Sequence, residues 1–381
     1  MTKLFNQTPL HCGNAEHNIH IEGEQKTPCC LIYDTQYMVK ETVDGAYQSE
    51  QFQDIRASLQ RGQQHPACVT CWRTEKHADR SPRTAYTQRM KEQGIVGTAG
   101  DHPRSMTWAF SNTCNFACRT CFLQYSTGWM RETRLLAEQG DQQMQSDLER
   151  FEKQPWDQIR LDEVLPHLPH LEHLELFGGE TLISTKLPQL LETIVSSGHA
   201  GHIDLVLTTN GSQPPKPWMT KLFAQFRSVQ LTFSIDAVTE DTFRYVRTGD
   251  WQRVQESIDQ WFKQEVRRRC TITFSTLNVW DCDRIMSWCD RRFALGNVNY
   301  NWVEQPAMYN AVNMPEDMKH HIMKQSTYWH SRQVLPNMFT QPHNAKLWQD
   351  FVKRTAWLDQ SRSQTLEKFM PELYELINRW S

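Results

Sequence analysis

Met106-Thr-Trp-Ala-Phe110-Ser-Asn-Thr-Cys114-Asn-Phe-Ala-Cys118-Arg-Thr-Cys121 is the stretch that decides how this chain is read. Met106–Phe110 has the alternating apolar pattern of a strand. The C-x3-C-x2-C run just past its end puts three thiols on one tight loop. Soft thiolates select iron–sulfur clusters or zinc. Three ligands on a four-iron cluster leave one iron open to a ligand. A structural zinc site instead wants four closed ligands, usually as two C-x2-C pairs. The unequal spacing here favours the cluster.

Three further strand ends carry motifs. Leu174-Glu-Leu-Phe177 ends in Gly178-Gly179-Glu180, Ile203–Thr208 in Thr209-Asn210-Gly211, and Val229–Phe233 in Ser234-Ile235-Asp236. In this order and after three cysteines, the constellation resembles the radical S-adenosylmethionine (radical SAM) superfamily over roughly residues 105–305. The resemblance implies a partial (β/α)6 TIM-like barrel of α/β class. It also implies a 4Fe–4S cluster on Cys114, Cys118 and Cys121, with S-adenosylmethionine filling the open iron. Gly178 and Gly179 would permit close backbone approach, and Glu180 would accept from the methionine amino group. Asn210 and Ser234 suit the sulfonium portion and the ribose, while Asp236 would reach the ribose or cap a helix. Arg247, in Tyr245-Val-Arg247-Thr-Gly249, matches a position near the carboxylate, and Val303 an adenine contact through its backbone. Two positions depart from the family pattern, Thr120 before the last cysteine and Thr181 after Gly-Gly-Glu; neither removes a ligand.

The pattern around these motifs is independent of the resemblance. Six strands alternate with helices: Met106–Phe110, Leu174–Phe177, Ile203–Thr208, Val229–Phe233, Thr271–Thr276 and Val298–Val303. Helical periodicity fills Leu187–Ser196, Trp218–Phe226, Trp251 to about Arg267, and Cys282–Arg291. Such alternation predicts a parallel sheet with right-handed crossovers. In parallel α/β folds the reactive residues gather at the C-terminal strand ends, where every motif above lies. The polar stretch Met130–Lys153 reads as a solvated helical insertion, and Arg267-Arg268-Arg269 as a solvated helix end.

Eleven cysteines in a chain expected to be intracellular speak for metal or redox chemistry rather than disulfides. Eight precede residue 122, so they are clustered; Cys270, Cys282 and Cys289 read as small buried hydrophobes. Asn18 to Cys29 reads as a hairpin leading into a ligand. With Cys12, Pro28-Cys29-Cys30 and Cys68-Val-Thr-Cys71-Trp-Arg-Thr-Glu75, this segment resembles the twitch and SPASM auxiliary-cluster modules. That resemblance implies a second 4Fe–4S cluster on Cys12, Cys29, Cys68 and Cys71, with Cys30 as the alternative to Cys29 and a structural zinc as the rival occupant.

Three domains are expected: an auxiliary-cluster module over 1–95, a barrel over 96–310, and a helical C-terminal extension over 311–381. Gly94–Pro103 reads as the linker between the first two. Tyr328, Trp329, Trp348, Trp357 and Trp380 in the extension would either line a groove for an extended chain or pack as a lid. A formal charge of −3 and the lack of basic–aromatic stripes argue against nucleic acid. Met1–Pro9 has no apolar h-region and no stretch reaches ~18 apolar residues, so a cytoplasmic protein without membrane contact is expected. The resemblance implies an enzyme reduced by a ferredoxin or flavodoxin. A peptide or protein side chain competes with a small metabolite or sugar as substrate, or with radical installation on a partner enzyme. The rival of another class is a non-catalytic zinc module.

Overall fold

The computed structural model describes residues 10–76, 81–153, 161–339 and 341–380. Met1–Pro9, on which the reading of the N-terminus rests, lies outside them. Eight strands form one sheet: β1 (Asn18–Glu22), β2 (Gln25–Thr27), β3 (Ser105–Ala109), β4 (His173–Phe177), β5 (Asp204–Thr209), β6 (Ser228–Ser234), β7 (Arg267–Phe274) and β8 (Val298–Trp302). Their order is β2-β1-β3-β4-β5-β6-β7-β8, and every neighbour from β1 to β8 pairs in parallel. The six expected strands are therefore β3 to β8, each within a few residues of its expected bounds.

The hairpin β1–β2 forms as expected but does not stand apart. Asn18–Glu22 pairs in parallel with Ser105–Ala109 and continues the sheet beyond β3. At the start of this pairing, Asn18 Oδ1 accepts from Ser105 Oγ at 2.8 Å and Thr107 Oγ1 at 3.2 Å.

A second departure concerns the three arginines. The helix from Trp251 stops at Trp261, and Arg267-Arg268-Arg269 opens β7 instead of ending the helix. Gln230 of β6 needs Arg267 as its pairing partner. The Arg268 guanidinium reaches back to the carbonyls of Phe262 and Gln264, both at 3.1 Å, and covers the helix C-terminus.

One face of the sheet is apolar. Leu174, Leu176, Leu205, Leu207, Leu231, Phe233, Cys270, Ile272 and Phe274 are all fully buried there, under helices that include Leu187–Ser196, Trp251–Trp261 and Cys282–Phe293. Cys270, Cys282 and Cys289 are buried in this core, as small apolar residues would be. The other face is polar. The register puts His20, Thr107, Glu175 and Gln230 on one rung, and Thr208, Thr232 and Arg269 on the next. A parallel sheet covered by helices on both faces reads as continuous apolar runs; the alternation here leaves a polar face opposite the core.

Beyond residue 311 the chain is helical, with Glu316–Gln325, Trp329–Met338, Ala345–Arg362, Leu366–Phe369 and Pro371–Trp380. Pro336 lies inside the second of these helices, in its last turn, rather than between helices. Trp348 is buried and packs on Phe351, so it lines no groove, whereas Trp329 is 49% exposed. Tyr328, Trp357 and Trp380 are half-buried.

The extension is tied to the cysteine loop by Arg119, which has no exposed surface. Its guanidinium donates to Asp359 Oδ1 at 2.6 Å and Gln364 Oε1 at 2.9 Å and lies 3.6 Å over the Tyr245 ring. Breaking a buried ion pair by removing one partner costs about 3–5 kcal/mol. Arg119→Leu should therefore lower unfolding stability by about that much and raise amide exchange across Ala345–Arg362. Unchanged exchange in that helix would show that the pair does not anchor it.

Candidate active site

Cys114, Cys118 and Cys121 follow β3 on a half-exposed loop at the C-terminal edge of the sheet. Backbone contacts pin this loop from several sides. The helix Glu240–Arg247 ends beside it and leaves its last carbonyls without intrahelical donors. The loop supplies donors instead. Arg119 N–H donates to Val246 O at 2.8 Å, Arg119 Nε to Tyr245 O at 3.0 Å, and the Cys118 thiol to Arg247 O at 3.8 Å. Thr248 closes the helix in the left-handed region at φ 65°, and its hydroxyl accepts from Ala117 N–H at 2.8 Å.

Ser126-Thr127-Gly128-Trp129 brackets the other side, a role the sequence reading did not assign. Thr127 Oγ1 accepts from Cys114 N–H at 3.1 Å, Ser126 Oγ donates to Phe116 O at 2.6 Å, and Trp129 Nε1 donates to Cys118 O at 2.9 Å. The available signal was position alone, since these residues follow Cys121 within one short turn.

The thiols resist ionisation. Burial, with the Cys118 thiol nearby, pushes Cys114 up to about 11. Burial also raises Cys118, and burial together with Cys118 and Cys114 raises Cys121. Burial is the main cause at each of the three, so a bound cation would favour their thiolate forms.

The Gly178-Gly179-Glu180 turn packs directly on this loop. Gly178 and Gly179 have φ of 93° and 56°, and a Cβ on them would meet Ser111 O at 2.6 Å and Thr113 O at 2.3 Å. The close approach these glycines permit is thus to the cysteine loop's own backbone. Glu180 is fully buried. Its carboxylate accepts from Thr209 Oγ1 at 2.7 Å, Asn210 N–H at 2.5 Å and Leu182 N–H at 3.1 Å. Burial still pushes its carboxyl above the usual range despite those donors. In this arrangement Glu180 joins the ends of β4 and β5.

Next to the loop, Asn210 Nδ2 donates to Asn115 Oδ1 at 3.0 Å and lies 4.0 Å from Cys114 Sγ. Arg247 is buried; its Nη1 donates to Ser234 Oγ at 3.1 Å and to Asp236 Oδ2, while its Nε is buried without a hydrogen-bond partner. Burial opposes its charge, but Cys118, Asp236 and Cys114 outweigh that and hold the guanidinium above its usual range. Asp236 Oδ1 accepts from Thr273 N–H at 2.9 Å, which locks the carboxylate to β7. Val303 is buried at the end of β8 with its N–H donated to Phe274 O at 2.8 Å. Cys114, Cys118, Asn210, Ser234, Asp236 and Arg247 thus form one linked group, and Val303 sits at a neighbouring strand end.

A family model described as the Radical SAM superfamily matches residues 108–285. The matched stretch, 178 of 381 residues, is a radical SAM domain. The match runs from the end of β3 through β7 to the first turn of the helix after it; β1, β2, β8 and the C-terminal helices lie outside it. Among solved structures the chain is similar to native anSMEcpe with bound AdoMet and a Kp18Cys peptide, at 17% identity and TM-score 0.40 over 61% of each chain. It is also similar to TYW1 with a lysine-pyruvate adduct bound, at 13% identity and TM-score 0.30, covering 59% of this chain and 70% of that one. A third is Streptococcus suis SuiB bound to precursor peptide SuiA, at 11% identity and TM-score 0.36, covering 77% and 66%. The chain covers about three fifths of the length of the first of these. Comparison with curated proteins finds no match. Among the described residues no helix is long and apolar enough to cross a membrane.

Outside the radical SAM domain, the N-terminal cysteines converge. Cys12, Cys29, Cys68 and Cys71 line one small cavity of about 20 Å³, with Arg83 and Tyr86. Cys30 is not part of that lining, and its Sγ sits 3.8 Å from Tyr86 Oη. Burial pushes Cys12 and Cys68 up to about 12 and also raises Cys71. The β2 strand runs back from the hairpin turn, so Pro28 O accepts from Asn18 Nδ2 at 3.0 Å at the N-terminal edge of the sheet. Cys29 is therefore set off from the Cys114 loop by about the length of β1, on the order of 15 Å at ~3.3 Å per residue. His20, Glu22 and Glu175 lie on the polar face between these levels.

Two outcomes follow from this geometry. A methyl group at Gly179 meets Thr113 O and an unfavourable φ at once, so Gly179→Ala should cost at least ~1–3 kcal/mol. It should also loosen residues 111–128 in hydrogen exchange; wild-type protection there would mean the turn does not brace the loop.

Glu175 gives the second. Burial alone would raise its carboxyl, yet His173 and Arg89, each 3.8 Å away, bring it down from 4.5 to about 2. A depressed carboxyl stabilises the fold fully above its unfolded value and loses that contribution as pH falls through the folded one. Glu175→Gln should therefore flatten the acid limb of stability between about pH 4.5 and 2; an acid limb identical to the wild type would refute the linkage.

Proposed function

We propose that this enzyme binds a 4Fe–4S cluster through Cys114, Cys118 and Cys121 and reductively cleaves S-adenosylmethionine. The observation that carries this reading is the trio of half-exposed thiols on a backbone-pinned loop, beside a buried arginine and a glycine turn, at the C-terminal edge of a parallel sheet. Held by these three residues, a cluster would supply the one-electron reduction needed to cleave the sulfonium for hydrogen abstraction from carbon.

The chain's own residues bind and orient. Arg247, charged and with its Nε unpaired, offers a donor to the methionine carboxylate. Asn210 and Ser234 stand at adjacent strand ends for the sulfonium and ribose portions. Asp236, locked by Arg247 and Thr273, positions that arginine and Ser234. Gly178 and Gly179 hold the loop close, and Val303 presents its carbonyl for adenine. Glu180, with three internal donors, acts first on the shape of the loop, and receives the amino group only through its remaining lone pairs. The sheet serves as a partial (β/α)6 barrel whose polar face is the lumen, with residues 1–95 as an auxiliary module and 311–381 as a helical extension.

We further propose that Cys12, Cys29, Cys68 and Cys71 hold a second 4Fe–4S cluster. Their shared cavity, which Cys29 lines and Cys30 does not, supports this set. The electron donor is a ferredoxin or flavodoxin in the cytoplasm.

The substrate proposed is a peptide or protein side chain. The resemblance of the N-terminal cysteines to twitch and SPASM modules supports it. A small sugar or metabolite is the second reading, favoured by the hydrogen-bonding groups along the polar face, from His20 and Glu22 to Gln230 and Arg269.

Replacing Cys114, Cys118 and Cys121 with alanine should abolish 5′-deoxyadenosine formation and lower iron from about eight to about four per chain. Formation of 5′-deoxyadenosine at the wild-type rate would overturn the assignment. Loss of all iron would overturn an independent second cluster. Co-expression with short peptides encoded nearby, read by intact mass, decides the substrate: deuterium passing from a labelled sugar or metabolite, with every peptide unchanged, would exclude the peptide reading.

A further inference from the structure

Three side chains from three separate segments meet near the N-terminal edge of the sheet, away from the cysteine loop. Asp44 belongs to the short helix Val43–Tyr47, His102 lies three residues ahead of β3, and His167 ends the turn Leu165–His167 ahead of β4. Asp44 Oδ1 stands 3.7 Å from His102 Nδ1 and 3.6 Å from His167 Nε2, and the ligand atoms of all three lie within 4.8 Å of one another.

These separations are too long for hydrogen bonds. His102 Nδ1 and both ring nitrogens of His167 are buried without a hydrogen-bond partner, and the His167 side chain is only 1% exposed. A buried polar atom left unpaired costs about 1–3 kcal/mol, a cost that a bound ion would remove. Two donors each ~2.0–2.1 Å from a tetrahedral ion lie ~3.3–3.5 Å apart, a few tenths of an ångström below what is seen. Asp44 and His102, with side chains 60% and 36% exposed, can make that adjustment. The His170 ring stacks on His102 at 4.2 Å and 10°, fixing the plane of its imidazole.

We propose that Asp44, His102 and His167 bind a divalent transition-metal ion of the zinc class. Two imidazoles and a carboxylate suit such an ion, with water as the fourth ligand. Reactive groups in parallel α/β folds gather at the opposite strand ends, so this ion is structural. It clips the N-terminal segment, through Asp44, to the lead-in segments of β3 and β4.

The test uses protein reconstituted with iron and sulfide so that the cysteines are occupied, then given zinc and desalted. The wild type should retain about one zinc per chain, and zinc X-ray absorption should show only nitrogen and oxygen neighbours. Asp44→Ala and His102→Ala, both at partly exposed positions, should each reduce retained zinc at least ~10-fold at unchanged iron content. Zinc should also raise the wild-type melting temperature and leave that of Asp44→Ala unchanged. Failure of the wild type to retain zinc, sulfur among the zinc neighbours, or equal retention by Asp44→Ala would each overturn the proposal. The iron content and 5′-deoxyadenosine yield of the same samples report separately on the cluster reading.

Discussion

The end of the helix Glu240–Arg247 is the constraint on which the rest of the site depends. Its last carbonyls need donors, and the cysteine loop supplies them: Tyr245 O and Val246 O take Arg119. That seating places Cys118 against the Arg247 backbone while the Arg247 side chain is held by Ser234 and Asp236. Helix, cysteine loop and two strand ends are therefore one unit, and a shift in any of them moves the thiols. The left-handed Thr248 and the tight packing of Gly249 on Phe116 are the backbone cost of that seating.

Arg119 extends this unit outward. A fully buried guanidinium must be paired, and its carboxylate partner, Asp359, comes from a helix some 240 residues later in the chain. Arg362 repeats the arrangement one turn on, donating to Glu132 and lying over Trp129, whose indole in turn holds Cys118 O. The C-terminal helices are in this way part of the wall that shapes the cysteine loop, though they lie outside the radical SAM domain itself.

The two faces of the sheet divide the labour. Leucines and aromatics on one face build the core that fixes the strand ends. The opposite face carries His20, Glu22, Thr107, Glu175, Thr208, Gln230 and Thr232 between the two cysteine sites. Polar groups at this depth stand beside charged neighbours, as Glu175 does beside His173 and Arg89.

By itself the sequence determined whatever depends on neighbours in the chain: strand and helix periodicity, glycines at turns, and thiols at ligand spacing past a strand end. β3 to β8 and the radical SAM domain were legible for that reason. What only the tertiary structure decided depends on partners far away in sequence. The joining of β1 to β3 rests on pairing across 87 residues, and the start of β7 at Arg267 on the need of Gln230 for a partner. The direction of Glu180 toward Thr209 and Asn210, and the lining of the cysteine cavity by Cys29 rather than Cys30, are side-chain choices set by surrounding packing. The meeting of Asp44, His102 and His167 belongs with these, because no periodicity links a short helix to the lead-in segments of two strands.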